Sequence, residues 1–280
     1  MRQCGIELEI DGQKAVMHYT DWGDEHASDV LFCVHGLTRN GRDFDILAQS
    51  LCTERRVICP DILGRGQSDW LDDKSRYQPE EYVAHCTQLI DRLGIAKLDW
   101  LGTSMGGIIG MYLAARDDHP IRHLVLNDIG PFIPHQALEY IADYVGQMPR
   151  FDDLAGLEAY LRKIHAGFGD LSDAQWRAMA EHAARRQPDG SLTLAYDPGI
   201  AEPFKDAYGE DQEFWDVYER ITCPTLLLRG GDSPLLHAET AQAMTERGPK
   251  AELETFAGVG HAPALMEEAQ IAVVRRFLAR

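Results

Sequence analysis

The sequence predicts an α/β fold, and two observations carry that expectation. Short apolar runs that read as strands alternate along most of the chain with stretches whose apolar residues recur at helical spacing. One strand-to-helix junction is also chemically distinctive. The run Leu98-Asp99-Trp100-Leu101 ends in Gly102-Thr103-Ser104-Met105-Gly106-Gly107 and opens directly into Ile108-Ile109-Gly110-Met111. A G-x-S-x-G between a strand and a helix describes a nucleophile elbow, a turn sharp enough to push one serine hydroxyl out of the backbone contour. The glycines leave room where side chains would collide. The helix start behind the serine offers unpaired N–H groups to a developing negative charge. Alone, the same residues also describe an ordinary turn with a serine cap. The rest of the chain decides between the two.

The elements follow in order. Gly5 to Ile10 and Lys14 to Trp22 read as antiparallel strands joined at Asp11-Gly12, a hairpin signal. Val30 to Val34 is a short apolar strand, after which Phe44, Leu47, Ala48 and Leu51 fall at helical spacing. Arg56 to Asp61 is the next strand, and Pro79 to Leu93 a helix with Tyr82, Cys86, Leu89, Ile90 and Leu93 on one face. Beyond the elbow come strands at His123–Asp128, Pro224–Leu228 and Ala251–Phe256, and a closing helix carrying Ile271, Val274, Phe277 and Leu278. Between Pro131 and Thr222 strand signals vanish and helical periodicity takes over, as in Leu157, Leu161, Ile164 and Phe168, then Trp176, Met179 and Ala183. This predicts a helical cap at 131–222, inserted after the sixth strand of a core formed by 1–130 and 223–280.

Two further segments, with the elbow itself, supply parts that a nucleophilic serine needs. The Val30–Val34 strand ends in His35-Gly36-Leu37-Thr38-Arg39-Asn40, where a glycine lets the backbone approach a ligand and the N–H of Leu37 can meet a carbonyl oxygen. The N–H of Met105, next to the serine, is the second such donor. Near the C-terminus, Gly258-Val259-Gly260-His261-Ala262 sets a histidine in a glycine-flanked loop after a strand. The remaining histidines lack such a context: His35 reads as a brace of its loop, and His119, His123, His135, His165, His182 and His237 as structural or solvated.

With these four motifs in this order, including Asp61-Ile62-Leu63-Gly64-Arg65-Gly66-Gln67-Ser68, the chain resembles the α/β-hydrolase family over nearly its whole length. The resemblance implies a mostly parallel eight-stranded sheet with helices on both faces, a structural role for the Asp61 loop, and a triad in chain order Ser104, acid, His261. It leaves two candidates for the acid. Asp232, in Gly230-Gly231-Asp232-Ser233-Pro234, lies where most of the family carries it, yet the third position after Gly230 is Ser233. Asp128, in Asn127-Asp128-Ile129-Gly130-Pro131, resembles the subgroup whose acid follows strand six, and is favoured over Asp232.

Bulk properties narrow the function. The 280 residues carry 45 acidic and 27 basic side chains, a formal charge of -18. That balance argues against nucleic acid or an anionic membrane surface as partner. No apolar run reaches the length of a membrane span, and the residues after Met1 lack the apolar core of a signal peptide. The six cysteines show neither C-x-x-C pairing nor metal spacing. The expectation is a cytoplasmic serine hydrolase that needs no metal or organic cofactor and cleaves a small carboxylic ester or lactone through an acyl-serine. The alternatives are hydrolysis of a C–C or C–N bond in a small keto acid or enamide, and a small-molecule receptor of the same fold. Arg39, beside the oxyanion loop, motivates the keto-acid alternative, because it could pair with a substrate carboxylate.

Overall fold

The computed structural model describes residues 1–205 and 209–280, so a short stretch of the expected cap region lies outside the described residues. The main sheet is built from β1 (Arg2–Ile10), β2 (Gln13–Trp22), β3 (Val30–Val34), β4 (Arg56–Pro60), β5 (Leu98–Thr103) and β6 (Ile121–Asn127). After an excursion, β11 (Thr225–Gly230) and β12 (Glu252–Phe256) return to it, giving the order β1-β2-β4-β3-β5-β6-β11-β12. Only β2 runs against its neighbours; β4 onward are parallel. The mostly parallel eight-stranded sheet is therefore as the motifs implied.

Helices cover both faces because the strands are apolar on both sides. Val30, Phe32, Val34, Trp100, Leu124 and Leu126 face α2 (Pro79–Arg92) and α3 (Met105–Ala114) in one cluster. Leu31, Cys33, Val57, Leu101, Val125 and Leu228 face α1 (Asp45–Leu51) and α9 (Glu268–Leu278) in another. Successive residues of β3 and β5 thus serve opposite cores, and each fully buried Leu or Val contributes roughly 1.5–3 kcal/mol. Cys33, Cys59, Cys86 and Cys223 are buried as free thiols, packed as small hydrophobes.

From β3 the chain moves to β4 on one side of the sheet and then to β5 on the other. At such a reversal the loops beyond the carboxyl ends of the two strands diverge and leave a crevice. The His35-Gly36 loop and the Ser104 turn both sit there.

Between β6 and β11 the described residues form α4 (His135–Ala142), α5 (Leu154–Ile164) and α6 (Asp173–Ala183), with a short α7 (Trp215–Tyr218) before the return. Contrary to the expectation that strands vanish between Pro131 and Thr222, two short strand pairs lie here. β7 (Phe132–Ile133) pairs with β10 (Gln212–Glu213), and β8 (Ala184–Arg186) with β9 (Leu192–Leu194). Two- and three-residue strands are too short for an alternating pattern to register. The last helices, α8 (Ala238–Glu246) and α9, flank β12.

Candidate active site

Ser104 sits between β5 and α3 with φ of 51° and ψ of -115°, a left-handed backbone that costs a non-glycine residue about 1–3 kcal/mol. The turn is held by its neighbours. A Cβ on Gly102 would lie 2.1 Å from the Gly106 carbonyl oxygen, and one on Gly106 2.0 Å from that of Val34. These two glycines let α3 start directly against β3 and β5. The Ser104 N–H donates to Asn127 O at 3.0 Å, and its own carbonyl accepts from Gly107 and Ile108. Its hydroxyl faces the crevice.

His261 comes from the loop that follows β12, the edge strand of the sheet. Its Nε2 lies 3.0 Å from Ser104 Oγ and its Nδ1 2.7 Å from Asp128 Oδ2. The loop bearing it is tied at two points: Gly260 N–H donates to Gly167 O at 2.7 Å, and Asn127 Nδ2 to Pro263 O at 2.9 Å.

Of the two candidate acids, only Asp128 meets the histidine. It is fully buried at the end of β6, also with positive φ (56°), and its carboxylate is saturated. Oδ1 accepts from Gly230 N–H at 2.8 Å, and Oδ2 accepts from the Ser233 hydroxyl at 2.6 Å as well as facing His261. Asp232 is exposed at the cavity rim; its N–H donates to Val259 O, and its carboxylate has no hydrogen bond to His261. Ser233, third after Gly230, therefore touches the Asp128 carboxylate. The count from Gly230 reached that residue, but only the fold shows which carboxylate it touches.

Leu37 and Met105 flank the serine. Met105 is the first residue of α3, where an N–H has no intrahelical partner. The loop under Leu37 is braced by His35, whose Nδ1 donates to Gly36 O at 2.7 Å while Nε2 accepts from Ile62 N–H at 3.0 Å. These two bonds specify the neutral tautomer with its proton on Nδ1, and burial pushes the His35 pKa down to about 4. Asp61 takes the structural role expected of it, accepting from Gly41 N–H at 2.8 Å and Gln67 N–H at 2.9 Å.

The hydroxyl of Ser104 opens into a cavity of about 750 Å³ between these loops and the 131–222 excursion. Its lining is mainly apolar, including Ala137, Ile141, Tyr144, Ile164, Phe168 and Leu235. Arg39 lines it as well, but Asp43 already holds its guanidinium, with Nε at 2.8 Å and Nη2 at 2.6 Å from the two carboxylate oxygens. His165, expected as structural or solvated, is buried in the cavity lining. It stacks on Phe168 at 4.6 Å between centroids, its Nε2 is enclosed without a partner, and burial holds its pKa well below the usual value. No pattern in the surrounding helix marked it, because its environment comes from three separate segments. Among the described residues, no group of three or more His, Cys, Asp or Glu side chains gathers as a metal site, and no helix is long and apolar enough to cross a membrane.

Comparison with known proteins agrees with this architecture. The family model of the alpha/beta hydrolase fold matches residues 29–268. The chain belongs to the α/β-hydrolase family. It is 43% identical over 271 residues to the 3-hydroxybutyrate-oligomer hydrolase of Cupriavidus necator, covering 93% of this chain and 92% of that one. It is 26% identical over 234 residues to the 2-(acetamidomethylene)succinate hydrolase of Mesorhizobium japonicum, covering 83% and 81%. An alpha/beta hydrolase structure from Novosphingobium aromaticivorans superposes with a TM-score of 0.88 at 35% identity, over 99% of this chain and 98% of that one. The protein is accordingly an enzyme, a hydrolase.

Proposed function

We propose that this hydrolase is a serine esterase that cleaves small carboxylic esters, and that short linear esters of hydroxy acids are its substrate class. The observation that carries the mechanism is the unbroken chain Ser104 Oγ, His261 and Asp128, with contacts of 3.0 and 2.7 Å, at the mouth of an apolar cavity. Ser104 attacks the carbonyl carbon as His261 Nε2 takes its proton, while Asp128 holds the Nδ1 tautomer and stabilises the imidazolium. The N–H groups of Leu37 and Met105 receive the oxyanion. Collapse expels the alcohol, protonated by His261, and leaves an acyl-serine. A water deprotonated by His261 then releases the acid. In this reading residues 131–222 form a cap on a 1–130 and 223–280 core, and the cap supplies the apolar wall of the cavity.

The substrate class is supported by the 43% likeness to a hydrolase of hydroxybutyrate oligomers, which are esters of this kind. A cavity of about 750 Å³ has room for several such units. Arg39 is engaged with Asp43, which lends no support to a site built for keto acids. Initial-rate hydrolysis of p-nitrophenyl esters from acetate to octanoate, and of a 3-hydroxybutyrate dimer and trimer, tests the reading. Turnover by the wild type should fall by about 10⁶ in Ser104→Ala. Turnover of acidic enamides or keto acids without any ester hydrolysis would transfer the same machinery to C–N or C–C bonds. Binding without turnover of any of these would overturn the proposed substrate class.

A further inference from the structure

Arg65 is fully buried, and among the described residues no carboxylate lies within ion-pair distance of its guanidinium. Its Nε donates to Leu37 O at 2.9 Å, and its Nη1 to Leu63 O and the Tyr82 hydroxyl, each at 2.9 Å. Nη2 lies 3.5 Å from Met105 Sδ. The guanidinium carbon sits 5.4 Å from the Tyr77 ring centroid and 4.9 Å from that of Tyr82, so π faces take the place of a counter-ion. Asp197, on the other side of Tyr77, is occupied by the Tyr77 hydroxyl at 2.7 Å and by Lys74. Burying a charge without a close partner carries a penalty of several kcal/mol. A neutral loop brace would hold the same carbonyls without it.

Two of the four contacts fall on Leu37 and Met105, the residues whose N–H groups face the developing oxyanion. Resting on that reading of the site, we propose that Arg65 is a positioning residue of the oxyanion hole. It clamps both donor residues from behind and sets a permanent positive charge under them in a water-poor part of the fold. A fixed charge of this kind acts on the anionic tetrahedral state and leaves the neutral ester almost untouched. It therefore acts on kcat more than on KM.

The test pairs two ketones of the same chain length. A trifluoromethyl ketone is attacked by Ser104: the Oγ–C bond forms, the carbonyl π pair moves to oxygen, and His261 takes the proton, giving a bound oxyanion. The matching methyl ketone binds without that addition. In Arg65→Met, kcat for an ester and affinity for the trifluoromethyl ketone should each fall roughly 10- to 100-fold, with KM and methyl-ketone affinity within about threefold. Arg65→Lys keeps the charge without the fork and should lie between, which also carries the test if the Met variant does not fold. Equal changes for both ketones, or none, would reduce Arg65 to a loop brace and overturn the proposal. Unimpaired ester hydrolysis or trifluoromethyl-ketone affinity in Ser104→Ala would instead overturn the nucleophile reading itself.

Discussion

Replacing Asp128 by Asn should lower kcat/KM by about 10⁴, and the structure shows where that factor arises. The carboxylate is fixed from two sides, Oδ1 by the Gly230 N–H at 2.8 Å and Oδ2 by the Ser233 hydroxyl and His261. An asparagine that keeps its oxygen toward Gly230 turns its NH₂ toward His261 Nδ1, so the imidazole must carry its proton on Nε2 and cannot take one from Ser104. Flipping the amide sets donor against donor in a fully buried site, a penalty of about 1–3 kcal/mol, or roughly 5- to 150-fold. Removing a negative charge some 4 Å from the imidazolium adds about 4 kcal/mol at an effective dielectric of 20. Together these give about 5–7 kcal/mol, a range that brackets the 5.5 kcal/mol of four decades. The assay is p-nitrophenyl butyrate hydrolysis at pH 7.5, with Asp232→Asn beside it. That control should stay within about twofold, since the exposed Asp232 carboxylate has no bond to His261. A greater loss in Asp232→Asn, or an Asp128→Asn enzyme within tenfold of wild type, would refute the assignment.

Three more predictions follow from neighbouring groups. Adding Ser233→Asp to Asp128→Asn returns a carboxylate to a position whose present side chain lies 2.6 Å from the Asp128 carboxylate; activity should recover at least about tenfold over the single variant, and no recovery would show that residue 233 cannot reach the histidine. Acid should destabilise the fold through His35. Its folded pKa of about 4 lies below the unfolded 6.5, so the stability it confers is complete above pH 6.5 and is lost as pH falls toward 4, a contribution of about 3 kcal/mol. His35→Gln should flatten the decline of Tm over that window, and an unchanged slope would exclude His35 as its source. Arg39→Ala should raise KM for carboxylate-bearing esters by less than about threefold, because Asp43 already holds the guanidinium; a selective rise of tenfold or more would restore it as a substrate anchor.

The main-sheet elements and the Ser104 elbow were legible in the sequence because each is a local matter. Apolar runs of five or six residues must bury both faces, which makes β3 and β5 central strands, and Gly102-x-Ser104-x-Gly106 specifies its own turn through steric exclusion within a few residues. His261 was legible for a similar reason, as a glycine-flanked residue after the last strand. The two-residue pairing of β7 with β10 was not, since those segments lie some 80 residues apart and carry no period of their own. The choice between Asp128 and Asp232 was also beyond local pattern: both end strands of the correct side, and only the side-by-side pairing of β6 with β11 decides which carboxylate lies beneath the imidazole. The same holds for His165 in the cavity wall and for Arg65 behind Leu37 and Met105. The sequence by itself marked Ser104, His261 and two candidate acids, because a turn and a strand end are built from near neighbours. Tertiary structure alone decided which carboxylate His261 meets, because that hydrogen bond is settled between segments 133 residues apart.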